Sequence, residues 1–357
     1  MKLLLAGGGT GGHLFPAVAL AERLMEVDSE SQVLFVGTER GLEARILPQL
    51  GWRLKTIDIR GLMGQGWKRK VMLVPMLMRS IMQSIRILTE FKPDVIVGVG
   101  GYASAPVLLA ATLTGRHYLI HEQNATPGLT NRLLGRRAVR ICVSHQSTES
   151  AFARQRTVVT GNPLRRGFSD CPQLPDGTPL LLVFGGSQGA RAINDALIAA
   201  LPTLTTEQPQ LKIIHQTGED DCCRVRAAYQ VNGRNGDEVT PFITDMARAY
   251  AAATLIVCRA GATTIAELTA AGRPAIMIPF PAAAADHQTA NAAMLAQKGA
   301  GLLLSQRKLT GATLSKLIDD LLHDRRRLET MAAAARSLGR PDATDALLRE
   351  CQSLVEG

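Results

Sequence analysis

The chain has 357 residues, of which 46% are hydrophobic, 20% charged and 4% aromatic. This length favours two domains of roughly 150 to 180 residues with a core each, and the composition excludes a disordered chain. The formal net charge of +9, with a pI near 9.5, suits a nucleic acid, an anionic membrane surface or a phosphorylated substrate, but does not choose among them.

The chain starts directly on an apolar strand pattern, so we expect no signal peptide. No apolar run approaches the roughly 20 residues that span a bilayer, so a soluble or peripheral protein is expected. The six cysteines are scattered without a Cys-x-x-Cys spacing. They are interpreted as reduced thiols of a cytoplasmic protein, with no zinc site.

The opening stretch predicts a strand, a tight loop and a helix. The apolar run 3–6 precedes glycine-rich residues 7–12, and apolar residues then recur at helical spacing. Glycines let the loop approach a ligand, and the amides at a helix start attract an anion. Because a helix N-terminus disfavours imidazolium, His13 is expected to be neutral near pH 7 and able to accept a proton. The alternative is a phosphate-binding or merely tight loop with an incidental surface histidine.

Strands and helices alternate through the rest of the first half. Short apolar runs and longer stretches of helical period follow one another, which is typical of parallel βαβ units. The predicted strands are residues 32–37, 54–59, 95–99, 118–121, 141–144 and 158–160, and the predicted helices are 41–50 and 105–113. Residues 61–70 are glycine-rich and basic, and Pro75 interrupts the apolar stretch 71–88 that follows.

The pattern lapses at residues 162–178, which are rich in Pro, Asp and Gly and are predicted as a linker. It restarts at 180–190 with an apolar strand, a glycine loop and a helix start. Later strands are predicted at 212–216, 238–241, 255–258 and 275–278, and helices at 310–322, 325–338 and 345–354. The expected fold class is α/β, with Rossmann-like domains at 1–161 and 179–340, each a parallel sheet flanked by helices, and a C-terminal helical segment at 341–357.

A strand, a loop and a helix start recur at residues 258–267. Gly261 lets this loop approach a phosphate, and Thr264 can cap the helix. Glu267 follows Thr264 by three residues, a spacing that fits a capping box. The same carboxylate could accept hydrogen bonds from ribose hydroxyls, as acidic residues do in dinucleotide folds. Both interpretations stay open at this point.

Other polar groups follow predicted strands. Residues 121–124, His-Glu-Gln-Asn, end a strand, and four consecutive polar residues there favour a site role over a core role. Arg165 could bind phosphate or form an interdomain salt bridge. Residues 286–291 could bind sugar hydroxyls or cap the next helix. The chain has no Asp-x-Asp and no P-loop lysine, so a metal-bridged pyrophosphate is poorly supported, and NAD is not expected as a cofactor.

Six segments in this order resemble motifs of the MurG family of N-acetylglucosaminyltransferases, over essentially the whole chain. They are residues 7–13, 121–124, 161–165 (Gly-Asn-Pro-Leu-Arg), 185–190 (Gly-Gly-Ser-Gln-Gly-Ala), 261–267 and 286–288. The resemblance implies the GT-B fold, with the active site between the domains and a C-terminal helix that returns to the first. It implies inverting transfer of GlcNAc from UDP-GlcNAc to the C4 hydroxyl of MurNAc in the undecaprenyl-linked acceptor lipid I, giving lipid II, with no metal and no cofactor.

The resemblance also implies roles for individual residues. His13 would be the base for the acceptor hydroxyl, Arg165 and Ser187 would bind the phosphates, and Glu267 would hold the ribose. The backbone of Ile243 would contact the uracil. The implied substrate-binding set is Thr10, Gly11, Gly12, Asn124, Arg165, Ser187, Ile243, Ala262, Thr263, Thr264, Ile265, Ala266, Glu267, Gln288 and Asn291. Four alanines at 282–285 depart from the family pattern.

A lipid acceptor would bring the enzyme to the cytoplasmic face of the cell membrane as a peripheral protein. An apolar patch with a basic rim fits an anionic lipid surface, and a core helix after a solvated charge run is the alternative. The predicted patch is Trp67, Lys68, Arg69, Lys70, Leu73, Val74, Met76 and Leu77. Other cell-wall synthesis proteins are expected partners, and nucleic acid is not.

Two rival functions remain from the sequence. A UDP-GlcNAc 2-epimerase would use the same fold and donor without a lipid acceptor, although the histidine in the first glycine loop argues against it. A non-catalytic UDP-sugar-binding protein would bind the donor without turnover.

Overall fold

The chain folds into two units that each contain one parallel sheet. Unit 1 comprises Met1–Arg165 with Asp342–Gly357, and unit 2 comprises Arg166–Pro341. The computed structural model describes residues 1–59, 73–153, 156–283 and 286–356. Helices flank both sheets, so the α/β fold class expected from the alternating pattern is confirmed.

Unit 1 has a seven-stranded sheet in the order β3-β2-β1-β4-β5-β6-β7. Its strands are β1 Lys2–Gly7, β2 Gln32–Gly37, β3 Leu54–Thr56, β4 Val95–Gly100, β5 Leu119–Glu122, β6 Arg140–Val143 and β7 Thr157–Val159. Its helices are α1 Gly11–Val27, α2 Leu42–Gln49, α3 Leu73–Phe91, α4 Ser104–Leu113, α5 Leu129–Leu134 and the C-terminal helix Ala343–Glu356, and a 3₁₀ turn covers Gln146–Ala151.

Unit 2 has a six-stranded sheet in the order β10-β9-β8-β11-β12-β13. Its strands are β8 Leu180–Phe184, β9 Lys212–Gln216, β10 Glu238–Thr240, β11 Leu255–Cys258, β12 Ala275–Met277 and β13 Leu302–Leu303. Its helices are α6 Arg191–Glu207, α7 Cys222–Val231, α8 Met246–Ala252, α9 Ala262–Ala271, α10 His287–Gln297, α11 Gly311–Leu322 and α12 Arg325–Leu338, with a 3₁₀ turn at Gln306–Lys308. The C-terminal helix Ala343–Glu356 is α13.

The sheet of unit 1 is buried on both faces, which is why its strands are uninterrupted apolar runs. Leu3 and Leu5 of β1 pack in one cluster with α1, whereas Leu4 packs on the opposite face with α3 and α4. Leu347 and Cys351 of α13 belong to the first cluster. The C-terminal helix therefore completes the core of unit 1.

Arginines of unit 2 bind backbone carbonyls of the segment that follows Arg165. Arg273, which is fully buried, donates to Pro172 O at 3.0 Å. Arg325 donates to Pro175 O at 2.7 Å, and Arg336 to Cys171 O at 3.2 Å. These bonds explain why residues 166–178, a linker in the sequence interpretation, belong to unit 2.

Candidate active site

The glycine loop of unit 1 joins β1 to α1 at the carboxyl edge of the sheet. Gly7, Gly8 and Gly9 have φ values of +148°, +145° and +88°, which side chains with a Cβ rarely adopt. The helix begins at Gly11, and its first backbone bond runs from His13 N to Thr10 O. The predicted succession of strand, tight loop and helix is confirmed. The first amides of α1 lie where a helix attracts an anion.

His13 lies in the first turn of α1, and neighbouring groups fix its ring. Its Nδ1 lies 3.0 Å from the Thr10 hydroxyl oxygen. The ring also lies over Gly100, where an added Cβ would be 3.1 Å from His13 Nε2. Thr10 is the N-cap residue of α1, but its side chain makes no cap bond to the helix. When Nδ1 carries the proton and donates to Thr10, Nε2 is the nitrogen that accepts a proton.

The polar residues after β5 form a buried network. Gln123 donates to Val99 O at 2.8 Å and contacts the ring of His121, whose Nε2 lies 3.1 Å from Gly161 O. Burial lowers the pKa of His121 to about 4, so it is neutral near pH 7. The side chains of His121 and Gln123 are buried and bonded to backbone carbonyls, so in this structure they support the loop. The site role predicted for residues 121–124 stays a prediction.

Asn124 is the half-exposed member of this series. Its backbone amide and its side-chain amide both donate to Glu122 Oε1, at 2.9 and 3.2 Å. The other carboxylate oxygen accepts from Gly128 N at 3.0 Å and from Asn131 Nδ2 at 2.9 Å. The buried carboxylate of Glu122 therefore fixes the position at which Asn124 is presented.

Arg165 lies beside the glycine loop within unit 1. Its guanidinium carbon is 4.4 Å from the ring centroid of Phe15, one turn into α1. Phe15 in turn lies under Gly11, where an added Cβ would be 3.1 Å from the ring. The structure thus brings a fixed positive charge close to the start of α1, as a phosphate role for Arg165 requires.

Glu43 is a residue of this region that the sequence interpretation missed. It lies in the first turn of α2, and only 1% of it is exposed. Its carboxylate accepts from Gly9 N at 2.7 Å, and from the amide and hydroxyl of Thr38 at 2.9 and 3.0 Å. The segment Gly-Thr-x-x-Gly-x-Glu at 37–43 was the available signal, since a glutamate that follows two closely spaced glycines need not be a surface charge.

In unit 2, the loop between β8 and α6 has the same strand-to-helix geometry. Ser187 lies half-buried in this loop. Gln216, at the end of β9, donates to Gly186 O at 2.8 Å and accepts from Ile243 N at 2.9 Å. The amide of Ile243 is therefore bound within unit 2, and the uracil contact of the Ile243 backbone stays a prediction. Gln216 was missed by the sequence interpretation, although a polar residue ending an apolar strand could have indicated it.

The helix α9 begins earlier than a capping box allows. Its N-cap is Gly261, with no side-chain cap bond, so Thr264 is the third helical residue. The capping interpretation of Thr264 and Glu267 is therefore wrong. The amide of Ile265 donates to Gly261 O at 2.9 Å, which removes it as a ligand donor. The earlier amides, those of Ala262, Thr263 and Thr264, occupy the anion-binding positions of the helix start. Ala266 lies further along the helix.

Glu267 is buried beside a tyrosine that the sequence interpretation missed. The hydroxyl of Tyr250 lies 3.3 Å from Glu267 Oε2. The ring of Tyr250 packs edge-on against Phe168, with ring centroids 5.1 Å apart. The carboxylate predicted to hold the ribose is thus oriented by a residue fixed in the core of unit 2.

The predicted sugar ligands after β12 are held by backbone groups. Gln288 Oε1 accepts from Phe280 N at 2.9 Å and from Ala260 N at 3.3 Å. Asn291 is fully buried and donates to Ala260 O at 3.1 Å. Asn291 thus supports the loop in this structure, and sugar binding by Asn291 stays a prediction. Arg259, also missed, lies over the ring of Phe280 at 5.3 Å and donates to Pro279 O at 3.1 Å.

The predicted membrane patch is described only in part. Trp67, Lys68, Arg69 and Lys70 lie outside the described residues, and Leu73 begins α3. Val74 is 65% exposed, whereas Met76 and Leu77 are half-buried. Met78 and Met82, one and two turns beyond Val74, are 58% and 68% exposed. The apolar surface of α3 therefore extends further along the helix than predicted.

Among the helices of the described residues, none combines the length and the apolar character needed to cross a membrane. Over the same residues, no three or more His, Cys, Asp or Glu side chains are grouped so that they could hold a metal ion.

Comparison with known proteins identifies the family. The glycosyltransferase family 28 N-terminal domain matches residues 3–143, and the family's C-terminal domain matches residues 180–347. A protein of Syntrophotalea carbinolica, named UDP-N-acetylglucosamine--N-acetylmuramyl-(pentapeptide) pyrophosphoryl-undecaprenol N-acetylglucosamine transferase, is 60% identical over 354 residues, 99% of each chain. The chain belongs to the MurG family.

Solved structures agree with this membership. Acinetobacter baumannii MurG, whose crystal structure is known, is 36% identical in sequence to this chain. The match covers 99% of each of the two chains, with a TM-score of 0.77. A UDP-N-acetylglucosamine 2-epimerase, covering 96% of this chain and 93% of its own, has a TM-score of 0.68 at 13% identity, which shows the fold alone. The family resemblance of the six motifs is confirmed, and the enzyme class is that of a glycosyltransferase.

Proposed function

We propose that this protein transfers GlcNAc from UDP-GlcNAc to the C4 hydroxyl of MurNAc in lipid I, with inversion, to make lipid II for peptidoglycan. The observation that carries the proposal is the 60% identity, over 99% of both chains, to a transferase named for this donor and acceptor. Two family 28 domains, matched at residues 3–143 and 180–347, support it independently.

The chemistry of inversion requires a base on the acceptor side. The acceptor hydroxyl must lose its proton as its oxygen attacks the anomeric carbon from the face opposite UDP. His13 is proposed as this base, acting through Nε2 while Nδ1 donates to Thr10. In this tautomer the Thr10 hydroxyl oxygen, 3.0 Å from Nδ1, accepts the Nδ1–H. Asn124, held by Glu122, is proposed to position the acceptor or the donor sugar.

The donor is proposed to bind through unit 2. Glu267 would accept hydrogen bonds from the ribose, the Ile243 backbone would contact the uracil, and Gln288 would bind the sugar. The leaving diphosphate needs charge stabilisation as the glycosidic bond breaks. We propose that Ser187, the first amides of α9 and Arg165 supply it without a metal ion.

We also infer that the enzyme works as a peripheral protein at the cytoplasmic face of the membrane. Val74, Met78 and Met82 are spaced four residues apart, so they form an exposed apolar stripe along α3. The exposed side chains of Arg79 and Arg86 flank it, each paired with an acidic neighbour. The apolar stripe suits the interfacial region of a lipid bilayer, in which the acceptor is embedded.

A coupled assay tests the proposed function. UDP release from UDP-GlcNAc is measured in EDTA with and without a lipid I analogue, and products are identified by mass. Release that requires the analogue and adds one GlcNAc to it is the expected result. Acceptor-independent release with ManNAc formation would instead identify an epimerase, and tight UDP binding without turnover would identify a binding protein.

A further inference from the structure

A buried carboxylate lies behind the glycine loop of unit 1. Glu43 Oε2 accepts from Gly9 N at 2.7 Å, while Oε1 accepts from the Thr38 amide at 2.9 Å and the Thr38 hydroxyl at 3.0 Å. Gly9 belongs to the loop after β1, and Thr38 to the loop after β2. One charged side chain thus ties together two loops at the carboxyl edge of the sheet, and charge-assisted bonds of this kind are the strong ones.

The space for this carboxylate is made by glycines of both loops. A Cβ added to Gly8, Gly37 or Gly41 would overlap the carboxyl group of Glu43. Gly41 has φ −77° and ψ 166°, a conformation open to any residue. Backbone freedom therefore does not require glycine at position 41, whereas room for Glu43 does.

We propose that Glu43 is a positioning residue, which holds the glycine loop in the conformation that receives the substrate diphosphate and places His13. This inference rests on the proposed function of the loop. Residues 7–9 have backbone conformations that relax readily unless surrounding contacts fix them. The bond to Gly9 N also commits that amide to the protein, so anion binding falls to the amides at the start of α1.

Electrostatics alone predicts the opposite effect of removing the charge. A carboxylate near an anionic ligand repels it, so neutralising Glu43 would strengthen binding if charge repulsion were its main influence. If Glu43 instead orders the loop, the neutral variant must bind and react more weakly. The sign of the change therefore separates the two effects.

The test compares Glu43→Gln and Gly41→Ala with the wild type. Glutamine keeps the shape but replaces one acceptor oxygen by an NH₂ donor, which cannot accept from Gly9 or Thr38. Alanine at 41 keeps the charge and displaces the carboxylate by overlap. Glu30→Gln is the matched control, because Glu30 is an exposed glutamate of the same unit, outside the glycine loop and α3.

Hydrogen–deuterium exchange of a peptide covering residues 6–14 reports the loop directly and needs no activity. We expect about tenfold faster exchange there in Glu43→Gln and Gly41→Ala, and about tenfold lower kcat/KM for the lipid I analogue. The double variant is expected to be no worse than either single variant, since both remove one interaction.

Unchanged loop exchange in both variants, or a higher kcat/KM in Glu43→Gln, would overturn the proposal. If the wild type does not transfer GlcNAc, the proposed function fails while the exchange experiment still decides the role of Glu43. Should Glu43→Gln not fold, Gly41→Ala carries both measurements, because its backbone conformation accepts alanine.

Discussion

Replacing Tyr250 by phenylalanine tests how the donor carboxylate is oriented. Tyr250 is fully buried, and its hydroxyl lies 3.3 Å from Glu267 Oε2. Its ring packs against Phe168 and Phe184, with centroid distances of 5.1 and 5.9 Å. Phenylalanine preserves these ring contacts and removes the hydrogen bond between the Tyr250 hydroxyl and Glu267.

The size of the effect follows from that bond. A hydrogen bond to a charged group contributes about 1.5–3 kcal/mol, and a 3.3 Å separation places this one at the lower end. A loss of about 1.4 kcal/mol corresponds to a tenfold change in Kd. We therefore expect Tyr250→Phe to raise the Kd for UDP about tenfold, because Glu267 must be ordered when the ribose binds.

Isothermal titration calorimetry with UDP and with its 2′,3′-dideoxy analogue isolates the ribose contact. The variant should weaken UDP binding and leave the analogue unaffected. Tyr229→Phe is the matched control, since Tyr229 is a buried tyrosine of the same unit whose hydroxyl lies 3.2 Å from His215 Nδ1. Equal losses for both ligands, or an equal loss in the control, would refute the orientation of Glu267 by Tyr250.

Three further predictions concern unit 1. His13→Ala should lower turnover far more than UDP-GlcNAc affinity, and equal losses in both would make His13 a binding residue. Met78→Asp with Met82→Asp should reduce co-sedimentation with anionic vesicles while sparing UDP affinity, whereas Val231→Asp, at a residue 87% exposed in unit 2, should not. The pKa of His121 is lowered from 6.5 to about 4, so below pH 6.5 the unfolded chain takes up a proton that the folded chain refuses. The free energy of unfolding, measured by chemical denaturation, should therefore fall by up to about 3 kcal/mol as the pH drops from 6.5 to 4. The His121→Gln variant should show a smaller decrease over the same pH range.

The fold could be predicted because its strands are apolar runs with helices between them. The ends of the strands and helices could be predicted less well, as β3 illustrates. The sequence predicted a strand at 54–59, but pairing stops at Thr56 opposite Gly37, and Ile57 N bonds back to Gly37 O at 3.0 Å. The length of an edge strand is set by the end of the neighbouring strand with which it pairs, and the edge strand's own sequence does not show where that end lies.

The candidate site could be predicted where a local motif carries the geometry, as in the first glycine loop. It could not be predicted where the partner is distant in the chain. Glu43 accepts a hydrogen bond from Gly9, 34 residues away, and the hydrophobic pattern of the sequence does not predict such a contact. The capping box predicted for Thr264 and Glu267 was wrong for a related reason, because the helix already begins after Gly261. Spacing alone does not show which residue is the N-cap.

The two glycine loops share a strand-to-helix geometry but are fixed by opposite hydrogen-bonding groups. In unit 1 a carboxylate acceptor, Glu43, binds an amide of the loop, at Gly9. In unit 2 an amide donor, Gln216, binds a carbonyl of the loop, at Gly186. Holding that carbonyl inward keeps the negative end of a peptide dipole away from a phosphate. The loop of unit 1 gives up one amide instead, so its attraction for an anion depends more on the start of α1 and on Arg165. We therefore expect Arg165→Ala to weaken the binding of the substrate phosphates more than removal of the Ser187 hydroxyl does.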